Sequence, residues 1–354
     1  MSRFLSKKHS GLVPYTPGEQ PKNMQFVKLN TNESPFPPSD RAIKAATEAS
    51  EKLNLYSDPE SRLITEKLAS VLGVMPENVL VTNGSDEILN FAFMAFCDES
   101  TPAVFPDITY GFYPVFAELN GIPYNEIPLK EDFSINICDY FNSGKTIFIA
   151  NPNAPTGILL KLNEIEEIVK NNPSNVVVID EAYIDFGGES CIPLTKRYEN
   201  LLVTGTFSKS RSMAGARLGF GVGSSELMRD LNMIKYSTNP YNVNSMTAAA
   251  GVGCLEDEEY TKKNCGEIIK VREYTVSELS KLGFFLTDSY ANFVFAKHPE
   301  ISGQDLNLKL REKGVLVRHF KKTRISDFNR ITIGTKEQMD ILIDRIKSIL
   351  EEIK

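Results

Sequence analysis

Short, continuous apolar runs alternate with apolar residues at helical spacing over most of the chain. The runs predict strands, at residues 79–82, 146–150, 176–179, 201–204 and 218–222. Between them, Leu, Ile and Val recur at helical spacing and predict helices, at residues 63–72, 86–96 and 162–169. Apolar strands that alternate with helices are typical of a mostly parallel sheet covered by helices on both faces. We therefore predict an α/β fold.

The pattern changes at about residue 246. A charged and apolar stretch at 247–282 predicts one long helix, followed by short strands at 284–287, 293–296, 315–318 and 330–333 and a terminal amphipathic helix. Residues 1–38 are rich in Pro, Asn and Gly and predict an irregular arm. We predict a large domain at 39–245 and a smaller α+β domain at 246–354. The arm at 1–38 is expected to pack on the small domain or on a partner subunit.

Composition excludes several classes of function. The chain has 354 residues and a net charge of -7, which argues against general nucleic-acid binding. No apolar stretch approaches the roughly 18 residues of a membrane span, and the first residues lack the apolar segment of a secretory signal. Five scattered cysteines and three histidines without ligand spacing predict neither disulfides nor a metal site. We expect a cytoplasmic protein whose chemistry uses carboxylates, lysine, hydroxyls or a cofactor.

Polar residues follow several of the predicted strands. They are Gly84, Ser85, Asp86, Asn153, Asp180, Tyr183, Thr206, Ser208 and Lys209. In open α/β sheets, ligands bind at the carboxyl ends of the strands. Residues 84–86 also open a helix, whose free N–H groups and dipole favour a phosphate. Considered alone, this segment is better explained by Ser85 or Asp86 as a helix cap with no ligand.

Lys209 lies in the segment Thr206-Phe207-Ser208-Lys209-Ser210, with Arg217 eight residues later and Asp180 twenty-nine residues earlier. A lysine that bonds covalently to a carbonyl needs an activating context. The hydroxyls and the arginine suggest a phosphate nearby, and the aspartate could pair with a pyridinium nitrogen. A surface lysine and a capping aspartate are the ordinary interpretations, but the combination indicates a pyridoxal phosphate enzyme.

Three motifs resemble the signature of the fold-type I aminotransferases, which use pyridoxal phosphate. They are Asn153-Ala154-Pro155-Thr156-Gly157, Asp180-Glu181-Ala182-Tyr183, and Ser208-Lys209 with Arg217. Four further segments are similar to the histidinol-phosphate aminotransferase subfamily, namely residues 13–18, 29–35, 56–59 and 330–335. Ser34 is one departure, since Asn is usual there. The resemblance covers nearly the whole chain and implies an aspartate aminotransferase-like fold.

The resemblance also implies a role for individual residues. Lys209 would bond to the cofactor and carry a proton between the substrate and the cofactor, while Asp180 would keep the ring nitrogen protonated. Asn153 and Tyr183 would contact the ring oxygen, and Tyr110 would stack on the ring. The cofactor phosphate would be held by Gly84, Ser85, Asp86, Thr206, Ser208, Arg217 and, from the other subunit of a homodimer, Tyr56. Substrates would contact Tyr15, Asn32, Arg318 and Arg330.

The expected reaction is amino transfer between histidinol phosphate and 2-oxoglutarate. Two other enzymes of the same fold remain alternatives, a threonine-phosphate decarboxylase and an aromatic aminotransferase. A regulator without turnover would need a DNA-binding extension, for which the chain has neither the length nor the basic charge.

Overall fold

The computed structural model describes residues 2–20 and 26–353. Parts of two predicted regions, residues 1 and 21–25 of the arm and residue 354 of the small domain, lie outside the described residues. The strands of the first half are β1 (Val27–Lys28), β2 (Val79–Thr82), β3 (Ala103–Pro106), β4 (Tyr124–Ile127), β5 (Thr146–Ala150), β6 (Val177–Asp180), β7 (Leu201–Thr206) and β8 (Gly219–Val222). The helices there are α1 (Asp40–Ser50), α2 (Arg62–Leu72), α3 (Ser85–Phe96), α4 (Phe112–Asn120), α5 (Leu162–Lys170) and α6 (Ser225–Thr238).

Seven of these strands form one sheet, in the order β2-β8-β7-β6-β5-β3-β4. Only β8 runs antiparallel to its neighbours, which are β2 and β7. Alternate residues of the central strands enter two separate apolar cores, one on each face of the sheet. This arrangement confirms the predicted α/β fold with a mostly parallel sheet covered by helices.

The register of the central strands aligns their carboxyl ends. Ala150 at the end of β5 pairs with Asp180 at the end of β6, and Asp180 pairs with Thr204 of β7. The loops that follow these three strands therefore leave the sheet at the same edge, where open sheets bind their ligands.

The predicted single helix at 247–282 is wrong, because the chain forms two helices there. They are α7 (Ser245–Leu255) and α8 (Glu258–Lys281), with a bend at residues 256–257. The first packs so tightly on α1 that a Cβ at Gly253 would lie 2.6 Å from the carbonyl oxygen of Arg41. The second packs on the strands and helices of the C-terminal half. The two helices therefore serve different cores, and the chain must turn between them.

The C-terminal half contains a four-stranded antiparallel sheet. Its order is β12-β13-β10-β9, formed by β9 (Phe285–Leu286), β10 (Phe293–Lys297), β12 (Arg318–His319) and β13 (Asn329–Thr332). The predicted strand at 315–318 is divided: β11 (Val315–Leu316) pairs in parallel with β1, whereas Arg318 belongs to β12. Helices α9 (Gly303–Glu312) and α10 (Lys336–Glu352) complete this half.

One apolar core joins the two halves of the molecule. Ile108, Leu129 and Phe133 from the first half pack with Phe295, Ile325 and Phe328 from the second. The guanidinium of Arg324 spans the same junction, because it donates to Asp107 and to the carbonyl oxygens of Leu129 and Lys130, each at 2.9 Å. These contacts fix the orientation of both halves around the edge of the sheet. No helix in the described part of the chain is long and apolar enough to cross a membrane.

Candidate active site

A cavity lies at the carboxyl edge of β5, β6 and β7, and we call it the inner cavity. Most of the residues predicted from the sequence line it, namely Ser85, Asp86, Tyr110, Asp180, Tyr183, Thr206, Ser208, Lys209 and Arg217. They come from five separate stretches of the chain, most of them at strand ends, and the fold brings these residues together at one cavity.

Lys209 lies in the loop after β7. The hydroxyl of Thr206 accepts from the backbone N–H of Ser208 at 3.1 Å and donates to its side chain at 3.0 Å, which fixes the loop just before the lysine. The Lys209 amine donates to the carbonyl oxygen of Thr31 at 3.4 Å and lies 5.9 Å from the centre of the Tyr183 ring. It forms no ion pair with any described carboxylate, so its amine is available for chemistry.

Asp180 is a buried carboxylate at the end of β6. It accepts from the N–H of Ala182 at 3.2 Å and from the hydroxyls of Thr204 and Tyr113, both at 3.4 Å. Removal from water, with a smaller repulsion from Asp86, raises the pKa of Asp180 to about 6. Because no described cation contacts it, this carboxylate is suited to a positively charged ligand atom.

Glu181 follows Asp180 and is also buried, although it does not line the inner cavity. It accepts from the hydroxyl of Ser190 at 2.5 Å and from the N–H of Cys191 at 2.6 Å. Removal from water raises the pKa of Glu181 to about 7. Its partners belong to the loop that follows β6, so Glu181 supports that loop.

Tyr183 lines the inner cavity, whereas Asn32 and Asn153 do not line it. The Asn32 amide donates to the Tyr183 hydroxyl at 2.9 Å, while its own carbonyl accepts from Thr332 at 2.9 Å. Asn153 donates to the Ile108 carbonyl at 2.9 Å and accepts from the Thr109 hydroxyl at 2.8 Å. These bonds hold a phenol and two amides in fixed orientations.

The N-terminus of α3 forms the expected phosphate end. Its N-cap is Gly84, with a φ of 77°. Because glycine has no side chain that could cap the helix, the first N–H groups of α3 are free. Arg217, itself in the left-handed region, donates to Asp86 at 2.8 Å, and the Tyr110 hydroxyl donates to the other oxygen of Asp86 at 2.6 Å. The Arg217 guanidinium, the Thr206 and Ser208 hydroxyls and the free N-terminus of α3 thus lie at the same cavity.

The inner cavity fits pyridoxal phosphate by the chemistry of its groups. The phosphate end supplies the donors that a phosphate needs, and the buried Asp180 supplies the negative charge that a ring nitrogen needs. The backbone approach at the phosphate end is also unusually close, since a Cβ at Gly219 would lie 2.3 Å from the backbone of Gly84 and Ser85. Lys209 lines the same cavity.

A second, open cleft of about 450 Å³ adjoins the inner cavity, and we call it the outer cleft. Tyr110 and Ala154 line both spaces and form the boundary between them. Three of the predicted substrate residues line the outer cleft, namely Tyr15, Arg318 and Arg330. Arg318 and Arg330 are direct partners across β12 and β13, so their side chains project from the same face of the small sheet.

Arg330 has a partly unsatisfied guanidinium. One of its terminal nitrogens donates to the carbonyl oxygen of Asn30 at 3.3 Å, but its buried Nε has no partner in the described structure. The guanidinium lies 5.3 Å from the Phe293 ring and 5.7 Å from the Phe320 ring. Removal from water lowers the pKa of Arg330 from its ordinary value, although the group stays charged. A bidentate anion would supply the missing partner.

Arg318 has a contact that the sequence did not indicate. Its two terminal nitrogens donate to the carbonyl oxygens of Thr16 at 2.8 Å and Pro17 at 3.2 Å. Tyr15, the preceding residue, stacks on Phe112 with 4.2 Å between the ring centres. Arg318 therefore holds the arm over the outer cleft, in addition to any contact with a ligand.

Three predicted cofactor residues do not line the inner cavity: Gly84 and Asn153 are each next in sequence to a lining residue, whereas Tyr56 is not. Its side chain is 85% exposed and stacks on Tyr241 with 4.7 Å between the ring centres. Neither ring lines the inner cavity or the outer cleft.

Several site residues were missed by reasoning from the sequence. They are Tyr113 and Thr204, which donate to Asp180, Thr31, which accepts from Lys209, and Thr332, which orients Asn32. Thr204 could have been found, because it is a hydroxyl inside an apolar strand next to the strand of Asp180. Thr31 and Thr332 lie within segments 29–35 and 330–335, close to the predicted Asn32 and Arg330, but nothing in the sequence showed which groups they contact. Tyr113 has no local signal.

Comparison with known proteins decides the family. The model of "Aminotransferase class I and II" matches residues 24–346. The chain belongs to this aminotransferase family. It is 49% identical over 353 residues to the histidinol-phosphate aminotransferase of Brachyspira hyodysenteriae, covering 99% of this chain and 100% of that one. It is 48% identical over 345 residues to histidinol-phosphate aminotransferase 1 of Pseudomonas fluorescens, covering 97% and 99%.

Solved structures of aminotransferases share the fold. The histidinol-phosphate aminotransferase of Clostridium acetobutylicum matches with a TM-score of 0.85 and 23% identity, over 92% of this chain and 99% of that one. The enzyme of Sinorhizobium meliloti, solved in complex with pyridoxal-5'-phosphate, matches with a TM-score of 0.84 and 21% identity, over 91% of each chain. The aspartate aminotransferase of Thermus thermophilus matches with a TM-score of 0.80. The predicted aspartate aminotransferase-like fold is confirmed.

Proposed function

We propose that this aminotransferase exchanges an amino group between histidinol phosphate and 2-oxoglutarate, as a step of histidine biosynthesis. The observation that carries the proposal is the pairing of Arg318 and Arg330 on one face of the small sheet, above the outer cleft. The two substrates share an amine or keto carbon but differ in the anion beside it, a phosphate ester in one and carboxylates in the other. Two guanidinium groups suit both kinds of anion. The names of the full-length relatives support this choice of substrate.

Pyridoxal phosphate is the cofactor that we assign to the inner cavity. Its aldehyde accepts the amino group and its ring withdraws electrons from the bond that breaks. Its phosphate would be held by Ser208, Thr206, Arg217 and the first N–H groups of α3. The Tyr110 ring would cover one face, and the Tyr183 hydroxyl would donate to the ring oxygen. Asn153 would exchange one of its bonds to Ile108 and Thr156 for a bond to the same oxygen.

Lys209 is the residue to which we assign the proton transfer. Its amine would hold the cofactor covalently until a substrate amine takes its place. The freed amine would then carry a proton between the substrate α-carbon and C4′ of the cofactor. The neighbouring Thr31 carbonyl and Tyr183 ring confine the amine close to where both carbons would lie.

Asp180 would hold the ring nitrogen of the cofactor in its protonated form, which favours electron withdrawal by the ring. In the described chain its carboxylate is buried and faces no cation, and a pyridinium N–H would supply one. The donors from Ala182, Thr204 and Tyr113 hold it in place. Asn32 acts through Tyr183, because its amide fixes the phenol oxygen.

The expected biological unit is a homodimer in which Tyr56 contacts the cofactor phosphate of the other subunit. The exposure of the Tyr56–Tyr241 pair, away from its own inner cavity, supports this arrangement. We also keep the division into an arm (1–38), a large domain (39–245) and a small domain (246–354); the separate apolar cores and the pairing of β1 with β11 support it. The five free cysteines are in keeping with a cytoplasmic location.

A half-reaction experiment tests the proposal. The protein loaded with pyridoxal phosphate is mixed separately with histidinol phosphate, phenylalanine and phosphothreonine, and the absorbance of the cofactor aldehyde is followed. We expect histidinol phosphate to remove that absorbance fastest and to leave the amine form of the cofactor. Faster conversion by phenylalanine would favour an aromatic aminotransferase, and release of carbon dioxide from phosphothreonine would favour a decarboxylase. Either result would overturn the proposed substrate.

A further inference from the structure

Two neighbouring segments form a surface that we call the Tyr56 platform, residues 56–61 and 239–242. The Tyr56 ring stacks on the Tyr241 ring at an angle of 23°. Such a stack fixes the plane of an exposed ring, but it does not by itself fix where the segments lie on the protein.

Lys235 holds the first segment of the platform, residues 56–61, through a hydrogen bond to its backbone. It lies near the end of α6, is only 1% exposed, and donates from its amine to the carbonyl oxygen of Pro59. No carboxylate in the described chain lies within ion-pair distance of it. Burial lowers its pKa, although Glu87 and Asp58 act in the opposite direction. The ammonium also lies 5.0 Å from the centre of the Tyr236 ring. A buried ammonium group without a carboxylate partner is costly for stability, which suggests that Lys235 has a function beyond stabilising the fold.

Glu87 supports the second segment. It lies in the first turn of α3 and accepts from the amide of Asn242 at 2.5 Å. The same carboxylate oxygen accepts from the backbone N–H of Asn83 at 2.7 Å, one residue before Gly84. Glu87 therefore links the platform to the phosphate end of its own subunit.

We propose that Lys235 and Glu87 are positioning residues that hold the Tyr56 platform in the geometry needed to reach the partner's cofactor phosphate. The inference rests on the proposed homodimer and deepens it. An exposed tyrosine on a free loop would lose conformational freedom each time it bound, and a loop already held in place loses less. The platform would contact the cofactor phosphate of the partner subunit, while Glu87 attaches it to the phosphate end of its own subunit.

A double-mutant cycle on the dimer tests the inference. Cofactor-free dimers of the wild type, Tyr56→Phe, Lys235→Met and the double variant are titrated with pyridoxal phosphate, and the dissociation constant is read from absorbance. Loss of a hydroxyl bonded to phosphate should weaken binding about tenfold or more, and loss of its support about threefold to tenfold. In the Tyr56→Phe background, Lys235→Met should cause no further loss. Pyridoxal, which lacks the phosphate, should bind all four proteins equally well.

The possible outcomes separate this inference from the proposed homodimer contact. If the two losses multiply, or if pyridoxal binding falls equally, Lys235 stabilises the fold in general and the inference is wrong, while the Tyr56 contact stands. If Tyr56→Phe binds pyridoxal phosphate as the wild type does, the contact itself is wrong and the inference fails with it. Tyr241→Leu provides a second test at a side chain that is 43% exposed and outside the apolar cores. It should weaken pyridoxal phosphate binding in the wild type and cause no further loss in the Tyr56→Phe background. Circular dichroism and sedimentation of each variant establish that folded dimers are compared.

Discussion

A terminal nitrogen of Arg217 lies 2.8 Å from a carboxylate oxygen of Asp86, at the end of the inner cavity where we place the cofactor phosphate. A phosphate bound there must share this arginine with a carboxylate. The Asp86 side chain can donate no hydrogen bond to a phosphate, and its second oxygen is engaged by Tyr110. Its contribution is therefore to orient Arg217 and the stacking ring, while its backbone N–H remains available.

Removal of Arg217 should weaken cofactor binding strongly. Arg217→Ala loses charge-assisted bonds to the phosphate and leaves the Asp86 charge uncompensated beside it, so we expect the dissociation constant of pyridoxal phosphate to rise about a hundredfold or more. Adding Asp86→Asn to that variant removes the repulsion and should recover about threefold to tenfold. Titration of the cofactor-free proteins measures both effects. Failure of Asp86→Asn to recover any affinity would contradict this account of the pair.

Replacement of Asp180 should affect the rate far more than cofactor occupancy. Asp180→Ala and the isosteric Asp180→Asn both remove the charge that keeps the ring nitrogen protonated. We expect the half-reaction with glutamate to slow by at least about a hundredfold, as for other buried electrostatic groups. The phosphate end is unchanged, so occupancy at saturating cofactor should remain close to that of the wild type. Near-normal turnover in either variant would show that Asp180 does not have this role; Glu181→Gln is the matched control.

Glu181 should make the stability of the protein depend on pH. Its pKa in the folded state is about 7, above the ordinary 4.5, so the folded protein binds more protons than the unfolded chain between these values. Stability contributed by this group is therefore greatest at low pH and is lost as the pH rises through 7. Glu181→Gln resembles the protonated form, so its advantage over the wild type should grow from pH 5 to pH 8, by about 2–4 kcal/mol. Denaturant unfolding of both cofactor-free proteins measures this, and a constant difference across that range would contradict it.

The central sheet and most residues of the inner cavity were predictable from the sequence. Parallel strands that are buried on both faces consist of continuous apolar residues, and the cavity residues follow these strands. Asp180 and Lys209 could be found since each follows such a run. Strand β4 was missed because it lies at the edge of the sheet and includes polar Asn125 and Glu126. Strand β3 was missed as well; it is only four residues long and ends at a proline.

Features that depend on distant contacts could not be predicted. The bend between α7 and α8 lies at Glu256 and Asp257, with neither Gly nor Pro to mark it, and is set by the two cores that the helices serve. The bond from Tyr113 to Asp180 joins residues 67 positions apart. The contact of Arg318 with Thr16 and Pro17 likewise joins residues about 300 positions apart.

The two arginines of the outer cleft should differ in substrate selectivity. Arg330 is assigned to anions of both substrates, so Arg330→Lys, which loses bidentate geometry, should lower kcat/KM for glutamate and for histidinol phosphate by about tenfold to a hundredfold each. Arg318 lines the outer cleft together with Tyr15, and we assign these two residues to the phosphate ester. Arg318→Lys should therefore affect histidinol phosphate at least about fivefold more than glutamate. Steady-state kinetics with each substrate in turn checks both expectations. Equal losses for Arg318→Lys would mean that it acts only by holding the arm.

Gly219 should be irreplaceable at the phosphate end, because only a glycine lets β8 approach the start of α3. A Cβ at this position would lie 2.3 Å from backbone atoms of Gly84 and Ser85, which cannot move aside as a flexible side chain could. We expect Gly219→Ala to destabilise the protein by about 1–3 kcal/mol and to weaken pyridoxal phosphate binding about tenfold, since the displaced backbone carries the N–H groups for the phosphate. Gly215→Ala is the matched control: a Cβ there meets nothing within 4 Å, so stability should change by less than about 0.5 kcal/mol. Loss of stability in Gly219→Ala with unchanged cofactor affinity would show that the phosphate is held by the side chains rather than by this backbone.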